Sequence, residues 1–528
     1  MTSLRAAGDR LPLATLLAGG LLLALVRFNN IFSLNGDNAI YLLLARNLAT
    51  GQPYNNAGFP WGYPALLTPG VLLFGPTHLL QAIPWLKGLS VLAFLLAIGC
   101  LYALFRTRHS RLVAWATVAL FAVNDVALVY TNDLMTELPY LAATAAALLY
   151  WAHSIDPAPR PATDPSPQPT DAAISRGPWL LAALLLVLPY YLRTIGLALL
   201  AAPPLILAWR RRWRAALGLG LALAALALPW IIFSATTAPD RNYTAAFWLR
   251  DPYHPELGRL SGPGELLSRV TDRVSLYSNT VLPAMVLPQP ADPAAPWRQA
   301  GGGLLVLLAG AGYGLRLYRR VELPEVYVAA FLVILCSWWW AGDRFLLPVF
   351  PFLLHYIAEA QTTLAALAGR ALRTPRLVGA AAVVLILLLL PNLVQDGQTI
   401  GQNLRYLRGD PAADGLTPED RTYLAACDWL RQYTPEGSVL LARKSSVTEI
   451  YTGRPTELIP LIPPDQYLGW LTSHHVRYVL EDSFAWSTHT IQYLRPAMAQ
   501  YPAHFRLLAS LPTAVPADPP TRLWQFTP

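Results

Sequence analysis

The hydrophobic residues of this 528-residue chain fall into long apolar runs separated by short polar stretches. A run of about 18 to 20 apolar residues has the length that crosses a membrane as a helix. The pattern therefore predicts an α-helical polytopic membrane protein with about eleven transmembrane helices. We place these spans at 11–28, 88–105, 112–129, 135–152, 179–191, 194–209, 215–234, 302–318, 324–340, 345–363 and 377–394.

Two apolar stretches need a separate interpretation. The run 179–209 is too long for one ordinary span, and its middle contains Pro189 and Arg193. We therefore predict two short helices that meet at a turn on the outer side. A second stretch, 62–85, is predicted to be re-entrant or interfacial, because it is interrupted by Pro64, Pro69, Pro76 and Pro84.

Arginine clusters predict the orientation of the spans, because basic residues concentrate in cytoplasmic loops. The clusters lie at 5–10, 106–111, 210–214, 316–320 and 370–376. With all of them inside, the amino terminus is cytoplasmic and the carboxyl terminus is extracytoplasmic. The cytoplasmic loop 154–178 is rich in Pro, Asp and Thr and is predicted to be a disordered linker. The large outer segments are then 29–87, about 235–301 and 396–528.

The last outer segment differs in composition from the rest of the chain, which predicts two domains, 1–395 and 396–528. The stretch 423–430 has helical spacing, whereas 438–442 and 475–480 are typical of strands. We therefore predict a small extracytoplasmic α/β domain at the carboxyl end. It carries no Gly-rich phosphate loop and no metal-ligand spacing, so a lid or scaffold is favoured over a second active site.

Composition agrees with a membrane protein and excludes several other classes. Residues are 54% hydrophobic and only 13% charged, whereas soluble domains carry about 25% charged residues. The net charge of +8 comes from clusters between apolar runs, so membrane topology explains it better than binding to nucleic acid. Cys100, Cys336 and Cys427 are too far apart for a zinc pattern or a disulfide framework.

Charged residues at the outer ends of the spans are the candidates for chemistry. Asp37 follows the first span and precedes a short amphipathic helix, so it is either an N-cap or a functional carboxylate. Glu137 lies about one helical turn inside the membrane edge, where an unpaired carboxylate is costly; its alternative role is in a capping box. Arg193, Arg344 and Lys87 oppose the positive-inside trend. The two arginines therefore either bind phosphate or pair with Asp343 or Glu137.

Four stretches on the predicted outer side carry a resemblance to a known family. They are Gly36-Asp37-Asn38-Ala39-Ile40-Tyr41, Phe59-Pro60-Trp61-Gly62-Tyr63-Pro64, Met135-Thr136-Glu137-Leu138-Pro139 and Asp343-Arg344-Phe345-Leu346-Leu347-Pro348. In order and spacing they resemble the motifs of the GT-C glycosyltransferases, the class of protein O-mannosyltransferases and the aminoarabinose transferase of lipid A. Two departures are Asn38, where many relatives have a second acid, and Trp61-Gly62, where the aminoarabinose transferase has a lysine.

The resemblance implies a GT-C fold and the transfer of a sugar from a polyprenyl-phosphate donor to a glycan, lipid or protein acceptor. It implies that Asp37 is the general base, and that Glu137 orients the acceptor or assists a divalent metal ion. Arg344 and Arg193 would neutralise the leaving phosphate, while Lys87, Asn38 and Tyr63 would contribute to substrate binding. The expected location is the bacterial cytoplasmic membrane.

Two other classes compete with this interpretation. A transporter or lipid flippase needs charges in the middle of the membrane and often has an internal repeat. This chain shows no clear repeat, and its charges concentrate at the outer ends of the spans. A scaffold for cell-wall assembly would leave the outer acids without a role.

Overall fold

The computed structural model describes residues 2–156, 176–237, 243–288, 296–374, 377–512 and 519–528, and most of these are helical. Most of the predicted linker 154–178 lies outside the described residues. We call the chain from Arg408 to the carboxyl end the tail. The helices that precede the tail are α1 (Thr2–Val26), α2 (Asp37–Thr50), α3 (Gly62–Phe74), α4 (Leu79–Arg106), α5 (Arg111–Ala122), α6 (Asp125–Thr131), α7 (Glu137–Tyr150), α8 (Arg176–Leu192), α9 (Leu197–Trp209), α10 (Trp213–Thr237), α11 (Tyr243–Trp248), α12 (Pro263–Leu276), α13 (Leu282–Val286), α14 (Pro296–Arg319), α15 (Leu323–Ser337), α16 (Asp343–Leu346), α17 (Phe350–Ala371), α18 (Leu377–Leu387) and α19 (Leu389–Leu407).

Only some of these helices have the length and composition of a complete span. Among the described residues, five helices are long and apolar enough to cross a membrane, or six if a bent pair counts as one span. Shorter apolar helices, including α3, α9 and α15, add to the bundle. The polytopic helical class is therefore observed, whereas the predicted number of eleven spans is not confirmed.

The predicted break in the run 179–209 is present. Helix α8 ends at Leu192, Arg193 is extended, and a 3₁₀ turn over Thr194–Gly196 leads into α9. The turn is tight because a Cβ atom at Gly196 would lie 2.5 Å from the backbone nitrogen of Tyr190. The break leaves the side chain of Arg193 at the junction of two helices.

The stretch 62–85 is only partly an independent segment. Helix α3 occupies its first half, but α4 begins at Leu79 and continues without interruption to Arg106. Pro84 is therefore inside a helix that is long enough to be a span. A proline removes one backbone hydrogen bond, and transmembrane helices tolerate this loss because neighbouring groups compensate for it.

A similar interruption divides the predicted span 112–129. Helices α5 and α6 meet at an angle of 60°. The side chain of Asn124 caps α6 by accepting a hydrogen bond from the backbone nitrogen of Ala127, and its amide donates to the carbonyl of Met285. An asparagine at this position stabilises a new helix start better than the continuation of the old helix.

The predicted domain boundary after residue 395 falls within α19, which continues to Leu407. Asp396 is buried and accepts a hydrogen bond of 2.7 Å from Arg27 at the end of the first helix. Arg27 also contacts Asp125 at 2.8 Å. Asp396 therefore packs with the helical bundle, and the division at 395 stays a prediction.

The tail is a small α/β unit, as predicted. It contains α20 (Pro418–Tyr433), β1 (Val439–Ala442), α21 (Ser445–Thr452), β2 (Thr456–Leu458), α22 (Tyr467–Ser473), β3 (Val476–Glu481), α23 (Arg495–Gln500), β4 (Phe505–Leu511) and β5 (Thr521–Phe526). The strand order is β2-β1-β3-β5-β4, with β1 parallel to both neighbours and β5 antiparallel to β3 and β4. A capping box between Thr417 and Asp420 fixes the start of α20.

The tail contacts the segment that carries Asp37. Arg46 of α2 forms an ion pair of 2.6 Å with Glu449 of α21. The ammonium group of Lys444 donates a hydrogen bond of 2.7 Å to the backbone carbonyl of Leu34. The tail thus holds both the loop before Asp37 and the helix after it.

Candidate functional site

Asp37 is the first residue of α2, and the residue before it, not Asp37 itself, caps the helix. Gly36 takes the N-cap position with φ 64°, a conformation that favours glycine. The carboxylate of Asp37 accepts a hydrogen bond of 2.5 Å from the guanidinium of Arg344. The interpretation of Asp37 as a plain N-cap is therefore wrong, because Gly36 occupies that position. The Asp37 side chain instead binds Arg344, which is close in space but far away in the sequence.

Arg344 lies in the short helix α16, which begins after Gly342 (φ 140°). Its guanidinium stands over the ring of Phe345, 4.6 Å from the ring centroid, and its Nε lies 3.8 Å from Glu137 Oε1. Arg344 therefore bridges Asp37 and Glu137. Asp343, one of the acids considered as its partner, instead accepts a hydrogen bond from the backbone nitrogen of Arg344.

Glu137 begins α7 and is only 1% exposed. One of its oxygens lies 2.6 Å from Arg193 Nη1, but neither oxygen meets the angles of a hydrogen bond. Thr136 precedes it without a side-chain cap, so the expected capping box is not formed. The contact is an ion pair in a buried place, where a lone carboxylate would be costly.

These four side chains form one compact group, which we call the charged centre: Asp37, Glu137, Arg193 and Arg344. Arg193 also faces Phe345, with its guanidinium 5.6 Å from the ring centroid. Two carboxylates and two guanidinium groups leave the centre without net formal charge. Both guanidinium groups lie over the ring of Phe345, and each has a nitrogen atom beside an acid. Guanidinium nitrogens arranged in this way can also bind phosphate oxygens.

Asn38 and Lys87 lie in an adjoining buried layer and bind chain atoms. The amide of Asn38 donates 2.9 Å hydrogen bonds to the carbonyl of Ser33 and to Asp133. Lys87 is 1% exposed and donates to the carbonyls of Asn29 and Ile31. These bonds shape the loop that leads from α1 to Asp37, and direct substrate binding by either residue stays a prediction.

Tyr63 is fully buried beneath the charged centre. Its ring meets that of Tyr41 edge-on at 5.0 Å, and its hydroxyl has no hydrogen-bond partner in the described structure. Tyr41 in turn meets Phe59 edge-on at 4.9 Å. Edge-on contacts of this kind stabilise a rigid aromatic floor, and the expected role of Tyr63 in substrate binding is untested.

The sequence alone did not single out two residues that complete the centre, Phe345 and Tyr243. Tyr243 begins α11 in the outer segment and meets the ring of Trp338 edge-on at 5.5 Å. Burial and the nearby Asp37 carboxylate raise the pKa of Tyr243 to about 12. Its hydroxyl is therefore neutral and able to donate a hydrogen bond. The sequence signal for Tyr243 was the abundance of aromatic residues in 235–301, whereas Phe345 belongs to the motif at 343–348.

The charged centre does not fit a metal ion. Among the described residues, no group of three or more His, Cys, Asp and Glu side chains is placed to hold one. Glu137 and Asp37 each face a guanidinium group, so a cation would have to displace an arginine. The three cysteines are free and lie apart from the centre.

The chain as a whole is similar to solved structures of known fold. ArnT from Cupriavidus metallidurans in the apo state matches with a TM-score of 0.56 and 14% identity, covering 98% of both chains. ArnT bound to undecaprenyl phosphate matches with a TM-score of 0.55 and 12% identity, covering 97% of both chains.

A second group of structures agrees. The Archaeoglobus fulgidus oligosaccharyltransferase in complex with Zn and sulfate matches with a TM-score of 0.56 and 14% identity, covering 96% of this chain and 72% of that one. No protein-family model and no curated protein sequence matches the chain. The chain therefore shares its overall fold with both groups of structures, which confirms the GT-C fold that its motifs predicted.

Proposed function

We propose that this protein transfers a sugar from a polyprenyl-phosphate donor to an acceptor hydroxyl on the outer face of a bacterial cytoplasmic membrane. The observation that carries the proposal is the charged centre, in which Asp37 faces Arg344 and Glu137 faces Arg193. A carboxylate can accept a proton, and two nearby arginines can stabilise a leaving phosphate. The charged centre supplies both kinds of group for such a reaction.

In the proposed reaction, Asp37 accepts the proton of the acceptor hydroxyl. The acceptor oxygen then attacks the anomeric carbon and forms the new glycosidic bond. The bond between that carbon and the phosphate oxygen breaks, and its electron pair leaves with the polyprenyl phosphate. The resemblance to GT-C enzymes implies inversion at the anomeric carbon.

Arg344 connects donor binding to the base in this proposal. The guanidinium of Arg344 donates a hydrogen bond of 2.5 Å to the Asp37 carboxylate, so it occupies one of the positions from which an acceptor hydroxyl could approach that acid. A donor phosphate competes for the same guanidinium and thereby frees the carboxylate. Arg193 and Arg344 then stabilise the charge that develops on the leaving phosphate.

Glu137 would not contact the reacting atoms and would act through the two arginines. It is buried behind the two arginines and lies within 4 Å of both. Its charge holds Arg193 in place and keeps the site neutral before the donor arrives. Asn38, Lys87 and Tyr63 would support the loop and the floor around Asp37, so that substrate binding depends on them indirectly.

The test is mass spectrometry of cell-envelope glycans from cells that express the wild-type chain, the Asp37→Asn variant or no protein. The proposal expects a sugar mass increment that is present only with the wild-type chain. Asp428→Asn, an exposed acid on α20 with a neighbouring Arg431, is the matched control and should preserve the increment. An unchanged increment in Asp37→Asn, at normal membrane abundance, would contradict the proposal.

A further inference from the structure

A second group of cationic and aromatic side chains lies where the tail meets the second outer segment. We call it the tail cluster; its members are Arg443, Lys444, Phe484 and Trp486 of the tail and Tyr253 of the outer segment. The guanidinium carbon of Arg443 lies 5.6 Å from the Trp486 ring centroid and 5.9 Å from that of Tyr253. The Lys444 ammonium lies 4.7 Å from the Phe484 centroid.

The two cations of the tail cluster have no acid as a direct partner. Among the described residues, no carboxylate oxygen lies within 4.0 Å of either one. The Nε of Arg443 is buried and has no hydrogen-bond partner in the described structure. Aromatic faces attract a cation but do not accept its N–H groups as strongly as an anion does. The cluster therefore has unused capacity to bind an anion.

His489 contributes no further charge to this group. Its ring meets Tyr253 at a centroid distance of 6.0 Å. Burial and the neighbouring Arg443 lower the pKa of His489 to about 3, so the imidazole is neutral. Two acids, Asp420 and Asp482, act on Lys444 only at longer range, and Asp482 accepts hydrogen bonds from Thr490 and Ser487. The positive charge thus belongs to Arg443 and Lys444.

The tail cluster is joined to the charged centre in two ways. Lys444 binds the carbonyl of Leu34, three residues before Asp37, and three residues of chain span at most about 11 Å. The second connection is a series of rings in which each contacts the next: Tyr253, Trp340, Trp338 and Tyr243. A single small molecule or lipid headgroup could therefore reach from the tail cluster to Asp37.

We propose that the tail cluster binds the acceptor, and that this acceptor carries an anionic group next to a sugar ring. Arg443 would bind the anion through its planar donor fork, and the Trp486 ring, which is 57% exposed, would stack on the sugar face. The anion is a phosphate or a carboxylate. This inference rests on the proposed transferase function and adds the chemical class of its acceptor.

The experiment measures saturation-transfer NMR on the full chain in lipid nanodiscs, with no donor present. The probes are glucose-1-phosphate, glucuronate and glucose. Because Arg344 and Arg193 could bind the same anions, all variants carry Arg344→Gln to weaken that site, and the binding is assigned to the tail cluster only by the change that Arg443→Gln causes. The proposal expects transfer to at least one of the two charged probes and little to glucose, and the stronger of the two identifies the anion.

Two variants locate the binding. Arg443→Gln should weaken transfer to the charged probe about tenfold, the usual consequence of losing one charged hydrogen bond. Trp486→Ala, which changes an exposed ring, should reduce transfer to the sugar-ring protons. Arg477→Gln changes an exposed arginine on β3 of the same domain and should leave the signal unchanged.

Three outcomes would overturn the inference: no charged probe giving transfer, glucose equalling the charged probes, or Arg443→Gln and Trp486→Ala both matching Arg477→Gln. The measurement involves no turnover, so it is independent of the envelope-glycan test. Loss of the glycan increment in Asp37→Asn together with unchanged probe binding in Arg443→Gln would retain the transferase and reject this acceptor site.

Discussion

Arg344 reaches Asp37 across 307 residues of chain and binds its carboxylate at 2.5 Å. Arg344 also lies 3.8 Å from Glu137, so it is shared by an acid that is 30% exposed and one that is almost completely buried. The two acids therefore experience different surroundings although they share a partner. The proposed function assigns the proton transfer to the partly exposed acid and a positioning role to the buried one, and variants of the two acids can test this assignment.

We expect Asp37→Asn to reduce turnover by about 10²–10⁴-fold, the usual contribution of a general base. Thermal stability should change little, because the Asp37 side chain is partly exposed and the amide oxygen still accepts a hydrogen bond from Arg344. Sugar transfer from the lipid-linked donor and the melting temperature of the purified protein measure the two effects.

Glu137→Gln should affect turnover less than Asp37→Asn does and thermal stability more. Its smaller effect on turnover should accompany a clear loss of stability, about 1–3 kcal/mol, because Arg193, which is only 14% exposed, loses its charged partner. The measurement is the same pair of assays. If Glu137→Gln lost as much turnover as Asp37→Asn while its melting temperature stayed normal, the roles assigned to the two acids would be reversed.

Arg344→Lys should weaken donor binding while the fold survives. Lysine keeps the positive charge but loses the planar donor fork and the face that covers Phe345. The apparent KM for the polyprenyl-phosphate sugar should rise about tenfold, the size of one charged hydrogen bond. The matched control is Arg477→Lys, on the exposed side of β3. Unchanged donor affinity in Arg344→Ala would reject this role.

The sequence identified all four members of the charged centre, because few charged residues occur at the outer ends of the spans. Pairing of the arginines with Glu137 was one of two alternatives, whereas the contact between Arg344 and Asp37 was not predicted. Asp37 and Arg344 are connected by tertiary packing over hundreds of residues, and no local spacing encodes that contact. Phe345 belongs to one of the four motifs, although no role was assigned to it. Tyr243 was not singled out, since aromatic residues are common at membrane surfaces and nothing in the sequence distinguishes this one.

The sequence likewise predicted some helix boundaries correctly and others wrongly. Arg193 and Pro189 marked the break between α8 and α9, because charge and proline both oppose a continuous apolar helix. The same reasoning misplaced the start of α4, since Pro84 lies inside that helix. Hydrophobic length alone also does not decide whether a short apolar helix such as α15 spans the membrane.

The orientation of the chain is a prediction from the arginine clusters. Alkaline phosphatase is active only outside the cytoplasm, so a fusion after Gly409, beyond the end of α19, should be active. A fusion after Arg212, in the cluster between α9 and α10, should be inactive. An inactive fusion at Gly409 would place the tail in the cytoplasm and contradict the predicted location of the site.

The ion pair between Arg46 and Glu449 offers a test of how the tail is held against α2. The side chains are 30% and 21% exposed, so the pair contributes at most about 1 kcal/mol. Removing one charge should therefore have little effect. Arg46→Glu should have a larger one, because it places two carboxylates together, and the tail should become easier for a protease to remove.

The matched control is the exchanged pair, Arg46→Glu with Glu449→Arg, which restores opposite charges at the same positions. We expect it to recover most of the protease resistance that Arg46→Glu loses, since coupled neighbours are not additive. Because α2 begins with Asp37, turnover should fall in the single variant and recover in the exchanged one. Additive losses in the exchanged variant would show that this contact does not hold the tail on the helix that begins with Asp37.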